Sequence, residues 1–261
     1  MRQLLILANV VILFLVIPAV SNAQDTLWAK TYGDENVNRA NSIAPTVDGG
    51  FIIAGWQDTL GMGAENYFYV KTTADGDPVW SDWNGGDETD IAFSVEHTAD
   101  YGYIFAGTSE SFGRGICDFF IIKTNYWGTL QWSATYNSGQ PSDGLCARSV
   151  QQTFDGGYII AGRHSTGDPA SHEQYLLKIG DYGVVGWENG YGHSSTEPIT
   201  ANHVSLTIDT CYIVAGTAPL NLLKVSADGD SLWSADLGMD EAMTVYPTAD
   251  GGYIVVGNVS T

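Results

Sequence analysis

The residue types able to do chemistry are present but scattered. His164, His172 and Glu173 share the segment RHSTGDPASHEQ, and imidazole with carboxylate is a transition-metal donor set. Their spacing matches no HExxH-like pattern, so no metal site is expected. Calcium in the acidic loops is the better candidate, although no stretch fits D-x-[DN]-x-[DN]-G with a distal glutamate. There is no G-x-S-x-G elbow and no glycine-rich phosphate loop after a strand. Acid pairs such as Glu88 and Asp90 are common on an acidic chain, and sequence does not place two carboxylates across a glycosidase pocket. No catalytic residue is assigned. The cysteines Cys117, Cys146 and Cys211 are odd in number and without metal spacing.

A repeat positions these residues. DGGFIIAG at Asp48 returns as DYGYIFAG at Asp100, DGGYIIAG at Asp155, DTCYIVAG at Asp209 and DGGYIVVG at Asp250. Trp28, Trp80, Trp132, Trp187 and Trp233 keep the same beat, as do Lys71, Lys123, Lys178 and Lys224 and the Thr two places before each Asp. Each period holds four short strand-like runs. In the first they are 41–46 (A), 51–54 (B), 67–72 (C) and 78–81 (D), with FIIA read as a strand buried on both faces. Asp-Gly and Gly-Gly accept the positive φ of tight hairpins, so A–B and C–D are joined by tight turns. No segment carries a 3.6-residue helical period. Four strands in about 52 residues is the size of a propeller blade. The reading is an all-β propeller of about five four-stranded blades over residues 24–261, the last incomplete. Its repeats run Trp28–Trp80, Trp80–Trp132, Trp132–Trp187, Trp187–Trp233 and Trp233–Thr261.

The unit resembles the propeller repeats of secreted bacterial surface proteins, in which a Trp strand, a T-x-DGGYI-x-x-G hairpin and a Lys-bearing strand recur, often with a C-terminal sorting domain. The segments Asp75 to Trp80 and Asp228 to Trp233 also resemble, distantly, the tryptophan docking motif of quinoprotein-like propellers. That resemblance implies that the Trp lies on the outer strand and packs on the next blade. It also supplies the enzyme alternative, a quinone-dependent or carbohydrate-active propeller.

A residue found in every blade builds the blade. The phased tryptophans are read as inter-blade packing, the Asp residues as caps of their own turns, and the Lys residues as packed stems with paired charges. Function belongs where the repeats differ. Strands run up and down, so the tight A–B and C–D turns share one face and the long B–C and D–A connections share the other. The long set collects Trp56, Trp83, Phe112, Arg114, Arg163, His164 and His172. Trp56 and Trp83 fall in connections of one blade and are read together as a sugar-stacking pair. Cys117 and Cys146 precede strands on this same face in neighbouring blades, so they are the expected pair if a disulfide forms.

Residues 1–23 have Arg2, an apolar run from Leu4 to Ile17 and a small-residue Ser21-Asn22-Ala23 site. This is a secretory signal, shorter in its apolar run than a membrane span needs. The expectation is export to the cell surface or beyond, with no span left after cleavage. A net charge of -20 from 30 acidic and 10 basic residues argues against nucleic acid and anionic membrane partners. A protein or glycan ligand is expected instead. The fifth repeat reaches only strand B, so missing C-terminal blades, irregular closure or oligomerisation are the expectations for its end.

Overall fold

The computed structural model describes residues 29–33, 35, 37–58, 64–167, 171–194 and 198–259. The expected signal segment and Trp28 lie outside them. Among the described residues there is no helix. The first sheet holds β1 (Asn38–Pro45), β2 (Phe51–Asp58), β3 (Glu65–Thr72) and β4 (Pro78–Asn84). The second holds β5 (Asp90–His97), β6 (Tyr103–Ser109), β7 (Asp118–Thr124) and β8 (Leu130–Tyr136). The third holds β9 (Gly144–Gln152), β10 (Tyr158–Ser165), β11 (His172–Ile179) and β12 (Val185–Ser194). The fourth holds β13 (Ala201–Leu206), β14 (Tyr212–Gly216), β15 (Leu222–Val225) and β16 (Ser231–Ala235), and the fifth only β17 (Glu241–Pro247) and β18 (Tyr253–Asn258). Each is an antiparallel meander in chain order. The described residues form a β-propeller of four full blades and a two-stranded fifth sheet.

The repeated residues explain why each blade forms. Thr46 and the Gly50 amide both hydrogen-bond Asp48 Oδ1, which closes the A–B turn. Lys71, only 1% exposed, reaches back from β3 and donates to both Asp48 oxygens and to the Thr72 carbonyl. Lys123 with Asp100 and Lys178 with Asp155 repeat this clamp, and Lys224 meets Asp209. Gly50 is small because a Cβ there would lie 2.0 Å from the Thr72 carbonyl oxygen and 2.8 Å from Lys71 Nζ. Gly55 faces a bulge in β1, where a Cβ would lie 1.8 Å from the Arg39 carbonyl oxygen.

Successive blades interlock through the same residues. Trp80 packs on Tyr103, Trp132 on Tyr158, Trp187 on Tyr212 and Trp233 on Tyr253, with ring centroids 5.8–6.1 Å apart. Trp132 and Trp187 also donate from Nε1 to carbonyls of the next C–D turn. Tyr136 and Tyr191 donate to Gly183 and Gly229 of those turns, and Tyr32 donates likewise to Gly76. The segment 29–33 thus meets the first blade as a D strand meets its successor. The innermost strands are stitched by side chains. Val95, Val150 and Val204 amides donate to Ser42, Ser94 and Ser149 of the preceding blade.

Two expectations change. Strands run further toward the long-loop end than the apolar runs alone indicated. Trp56 pairs with Tyr67 and Trp83 with Phe68, because backbone pairing continues after the apolar pattern stops. The segment Gly190–His193 likewise belongs to β12 rather than to a loop. FIIA is not buried on both faces. Ile52 and Ala54 are fully buried against the second blade, whereas Phe51 and Ile53 stay partly exposed on a face that no other sheet among the described residues covers closely. The corresponding strands of the second to fourth blades are buried on both sides.

Candidate functional site

The long connections gather at one end of the blades and bond across them. Glu88 and Ser111 join the first two blades, the Ile116 amide donates to Asp143, and the Leu145 amide donates to Cys117. The densest side-chain cluster lies on the third blade. Asp143 comes from the connection before β9. It accepts from Ser138 at 2.7 Å, from the Gly167 amide at 2.9 Å, and faces His164 Nε2 at 3.1 Å. Burial opposes its ionisation, but these three donors prevail and hold the carboxyl below its ordinary range. His164 Nδ1 is 3.7 Å from Glu173 Oε2 on the neighbouring strand, and Glu173 Oε1 is 4.0 Å from His193 Nδ1. Glycine at 190 leaves room for the Glu173 carboxylate, since a Cβ would stand 2.1 Å from Oε2. His164 also packs edge-on against Tyr175. The chain of groups opens outward, from Asp143, 10% exposed, to His193, 62% exposed.

Ser171 Oγ is 3.3 Å from His193 Nδ1, the same nitrogen that Glu173 approaches. A serine proton taken by that nitrogen has no separate path through the ring to the carboxylate. Ser165 meets Nδ1 of His172 at 3.0 Å. Among the described residues, no three His, Cys, Asp or Glu side chains surround a point where a metal ion would sit.

Cys117 and Cys146 flank the cluster as free thiols with sulfurs 2.7 Å apart. Either thiol can donate in this bond, which with the Arg163 guanidinium beside it holds Cys146 below the ordinary thiol range. The same bond and burial push Cys117 up. Cys211 lies at an A–B turn, on the opposite face.

The sequence-derived residues divide into three groups. His164 lies in the cluster, whereas Arg163, next to it on β10, points from the other face of the sheet toward Cys146, 3.9 Å away. Phe112 packs on Phe120 at 5.2 Å, and the Arg114 amide caps Asp118, so both help shape the connection before β7. Trp56 and Trp83 do not form a pair. They lie on β2 and β4 with β3 between them, and their partners Tyr67 and Phe68 are adjacent residues, so they point from opposite faces of the sheet. Trp83 alone borders open space. It is 50% exposed on a shallow depression of about 430 Å³ with Gly33, Gln57, Phe68, Ser81 and Asp82. Asp143, His193 and Gln57 were not singled out in the sequence. Asp143 precedes β9 and His193 lies near the end of β12, both on the third blade, so the repeat phase already made them neighbours of His164.

No family model matches the chain, and no curated protein matches it. Among solved structures it is similar to streptogramin B lyase, at 12% identity over 85% of this chain and 64% of that one, with a TM-score of 0.54. A protein of unknown function from Bacteroides caccae is 15% identical over 74% of this chain and 61% of that one, with a TM-score of 0.49. The WD40 β-propeller domain of Doa1 is 11% identical over 84% and 75%, with a TM-score of 0.43. The chain spans less than two thirds of the length of the first two. Likeness at these identities bears on the fold alone.

Proposed function

We propose that this chain is an exported, non-catalytic β-propeller that binds a protein or glycan ligand through its B–C and D–A connections. The observation carrying this reading is the contrast between its two faces. On the short-turn face, each phased Asp is consumed by its own turn and, in four blades, by a lysine. On the other face, Glu173 and His193 present a carboxylate and an imidazole to solvent, with no part in joining blades. Hydrogen-bonding groups on loops held by a rigid scaffold are a common basis of ligand recognition. Export rests on the residue 1–23 signal pattern. For a glycan, the stacking ring is Trp83, with Gln57 and Asp82 beside it for hydroxyl groups.

A glycan array probed with the chain from residue 24 onward, beside Trp83→Ala, Trp56→Ala and Arg163→Ala/His193→Ala, tests the proposal. Glycan binding should fall at least tenfold in Trp83→Ala, and protein-ligand binding in the double variant, with Trp56→Ala retaining both. Binding that survives both changes would remove the loop-face assignment. Sugar turnover or a quinone-dependent oxidation by the wild-type chain would overturn the non-catalytic reading.

A further inference from the structure

The short-turn face exposes more apolar surface than its turns require. The five most exposed large apolar side chains among the described residues are Ile208, Tyr182, Trp127, Phe154 and Val184, at 71–97%, and every one lies in an A–B or C–D turn. The repeat shows that no turn needs them. Phe154 and Ile208 precede the phased Asp, a position that Ala99 and Ala249 fill in the second and fifth sheets. Trp127 and Tyr182 precede the glycine of a C–D turn that the first and fourth blades make with Asp75 and Asp228 in that place. Neighbouring turns join into one surface. The Tyr126 hydroxyl donates to Asp48 Oδ2 at 3.0 Å, with its ring 4.8 Å from that of Trp127. The Ala99 amide donates to Gln152 just before the Phe154 turn, and the Asp181 carbonyl beside Tyr182 accepts from Trp132. The nine turns hold ten aspartates and no lysine, arginine or histidine. The lysines that clamp the phased aspartates lie beneath them, 1–13% exposed, while those four carboxylates are 36–66% exposed. Lys30 pairs with Asp77 at the rim.

We propose that this face docks a cationic, apolar segment of a partner polypeptide. The segment's apolar side chains rest on Trp127, Tyr182, Phe154 and Ile208, and its lysines or arginines meet the aspartates between them. Contiguous exposed apolar groups rimmed by polar ones mark an interaction surface, and aromatic rings are frequent anchors in such surfaces. Carboxylates fixed by their own turns select a cationic partner and speed its encounter. Charge complementarity decides the occupant. An anionic membrane, or a second copy of this chain with its net charge of -20, would meet repulsion. The face lies at the opposite end of the blades from the B–C and D–A connections, and it serves whether or not those connections hold a ligand.

The probe is a fluorescein-labelled peptide, KLFKKLFKKLFK, titrated against the chain from residue 24 onward. Its anisotropy should saturate, with slowed amide exchange over residues 125–129, 153–157 and 180–184. The triple variant Trp127→Ser/Phe154→Ser/Tyr182→Ser should bind about tenfold more weakly. Asp75→Asn/Asp181→Asn/Asp228→Asn should bind about threefold more weakly and with a flatter salt dependence. All six side chains are exposed, so urea midpoints should stay near that of the wild type. The long-loop change Asp87→Asn/Glu88→Gln/Glu110→Gln removes the same charge from exposed sites at the other end and should leave binding unchanged. The peptide with glutamate in place of every lysine should not bind. No saturable binding, full affinity in the aromatic variant, or equal losses from the two charge variants would overturn the proposal. A concentration-dependent dimer that the aromatic variant abolishes would assign the face to a second copy and would also overturn it.

Discussion

Glu96 gives the sharpest test of how the innermost strands hold the blades together. It lies on β5 and its Oε2 accepts the Gln152 amide of β9 at 2.5 Å. Ser94, two residues earlier, takes the Val150 amide in the same way. The equivalent of Glu96 one blade on is Gln151, whose Oε1 accepts the Leu206 amide at 2.6 Å. The fold therefore already contains the neutral form of this contact. Burial between the blades pushes the Glu96 carboxyl from 4.5 to about 7, against the opposing hydrogen bonds from Gln152 and Gln151. The folded state thus holds the proton more tightly than the unfolded chain. The contribution of the protonated group is complete below about pH 4.5 and is lost as pH rises through 7. At about 1.4 kcal/mol per pH unit, the interval corresponds to about 3 kcal/mol. Glu96→Gln should therefore match the wild type near pH 4.5 and exceed it by about 3 kcal/mol at pH 8. Urea unfolding followed by tryptophan fluorescence at the two pH values reads this difference. Glu88→Gln, at an exposed site, corrects for the general effect of removing one negative charge from an acidic chain. If the Glu96→Gln advantage does not grow between the two pH values, the buried-carboxyl reasoning is refuted.

Three further outcomes are expected. Asp100→Ala should cost about 3 kcal/mol, because it strands the Lys123 ammonium, which is 3% exposed, while Lys123→Met should cost about 1 kcal/mol because the half-exposed Asp100 can turn to water; urea midpoints that rank the other way would refute this. Gly157→Ala should cost more than about 2 kcal/mol, since its Cβ would lie 2.3 Å from the Ile179 carbonyl oxygen, whereas Gly252→Ala should cost less than about 1 kcal/mol with only its own turn nearby; calorimetric melts of the two variants compare them directly. Mild oxidation with a small-molecule disulfide should join Cys117 to Cys146 and leave Cys211 open to alkylation; peptide mass mapping that finds Cys211 in the bridge would contradict the placement.

The blade was legible because a repeat reports each structural demand several times. The Asp, Lys, Thr and Trp positions were visible as recurring letters, and each performs the same contact in successive blades. The site was less legible because loop residues occur once. The Trp56–Trp83 pairing failed for a reason of pleat rather than of proximity. Both residues fall in one blade, but their register on β3 differs by a single residue, and a difference of one turns a side chain to the other face. An apolar run marks the buried part of a strand, not its end, so both residues read as loop. Glu96 was silent for a related reason: one glutamate on a chain with 30 acidic residues carries no signal until its neighbours are known.

The fourth blade shows what the repeat tolerates and why. Its hairpin reads Asp209-Thr210-Cys211 where the first and third blades have Asp-Gly-Gly. Thr210 accepts φ 63° at the turn, a conformation that strains a β-branched residue. At the next position Cys211 stands where glycine elsewhere admits the lysine and the strand-C carbonyl. The clamp responds. Lys71, Lys123 and Lys178 each hold both oxygens of their Asp and a backbone carbonyl, whereas Lys224 holds Asp209 through one oxygen, at 2.5 Å. The lysine–aspartate pair therefore survives a side chain at the glycine position when the lysine gives up its backbone bond. The glycine secures the fuller clamp, and the ion pair is the part that every complete blade retains. Among the described residues Asp250 is the one phased Asp without such a lysine, and its turn is still closed by Thr248 and the Gly252 amide, so the turn itself forms without the ion pair.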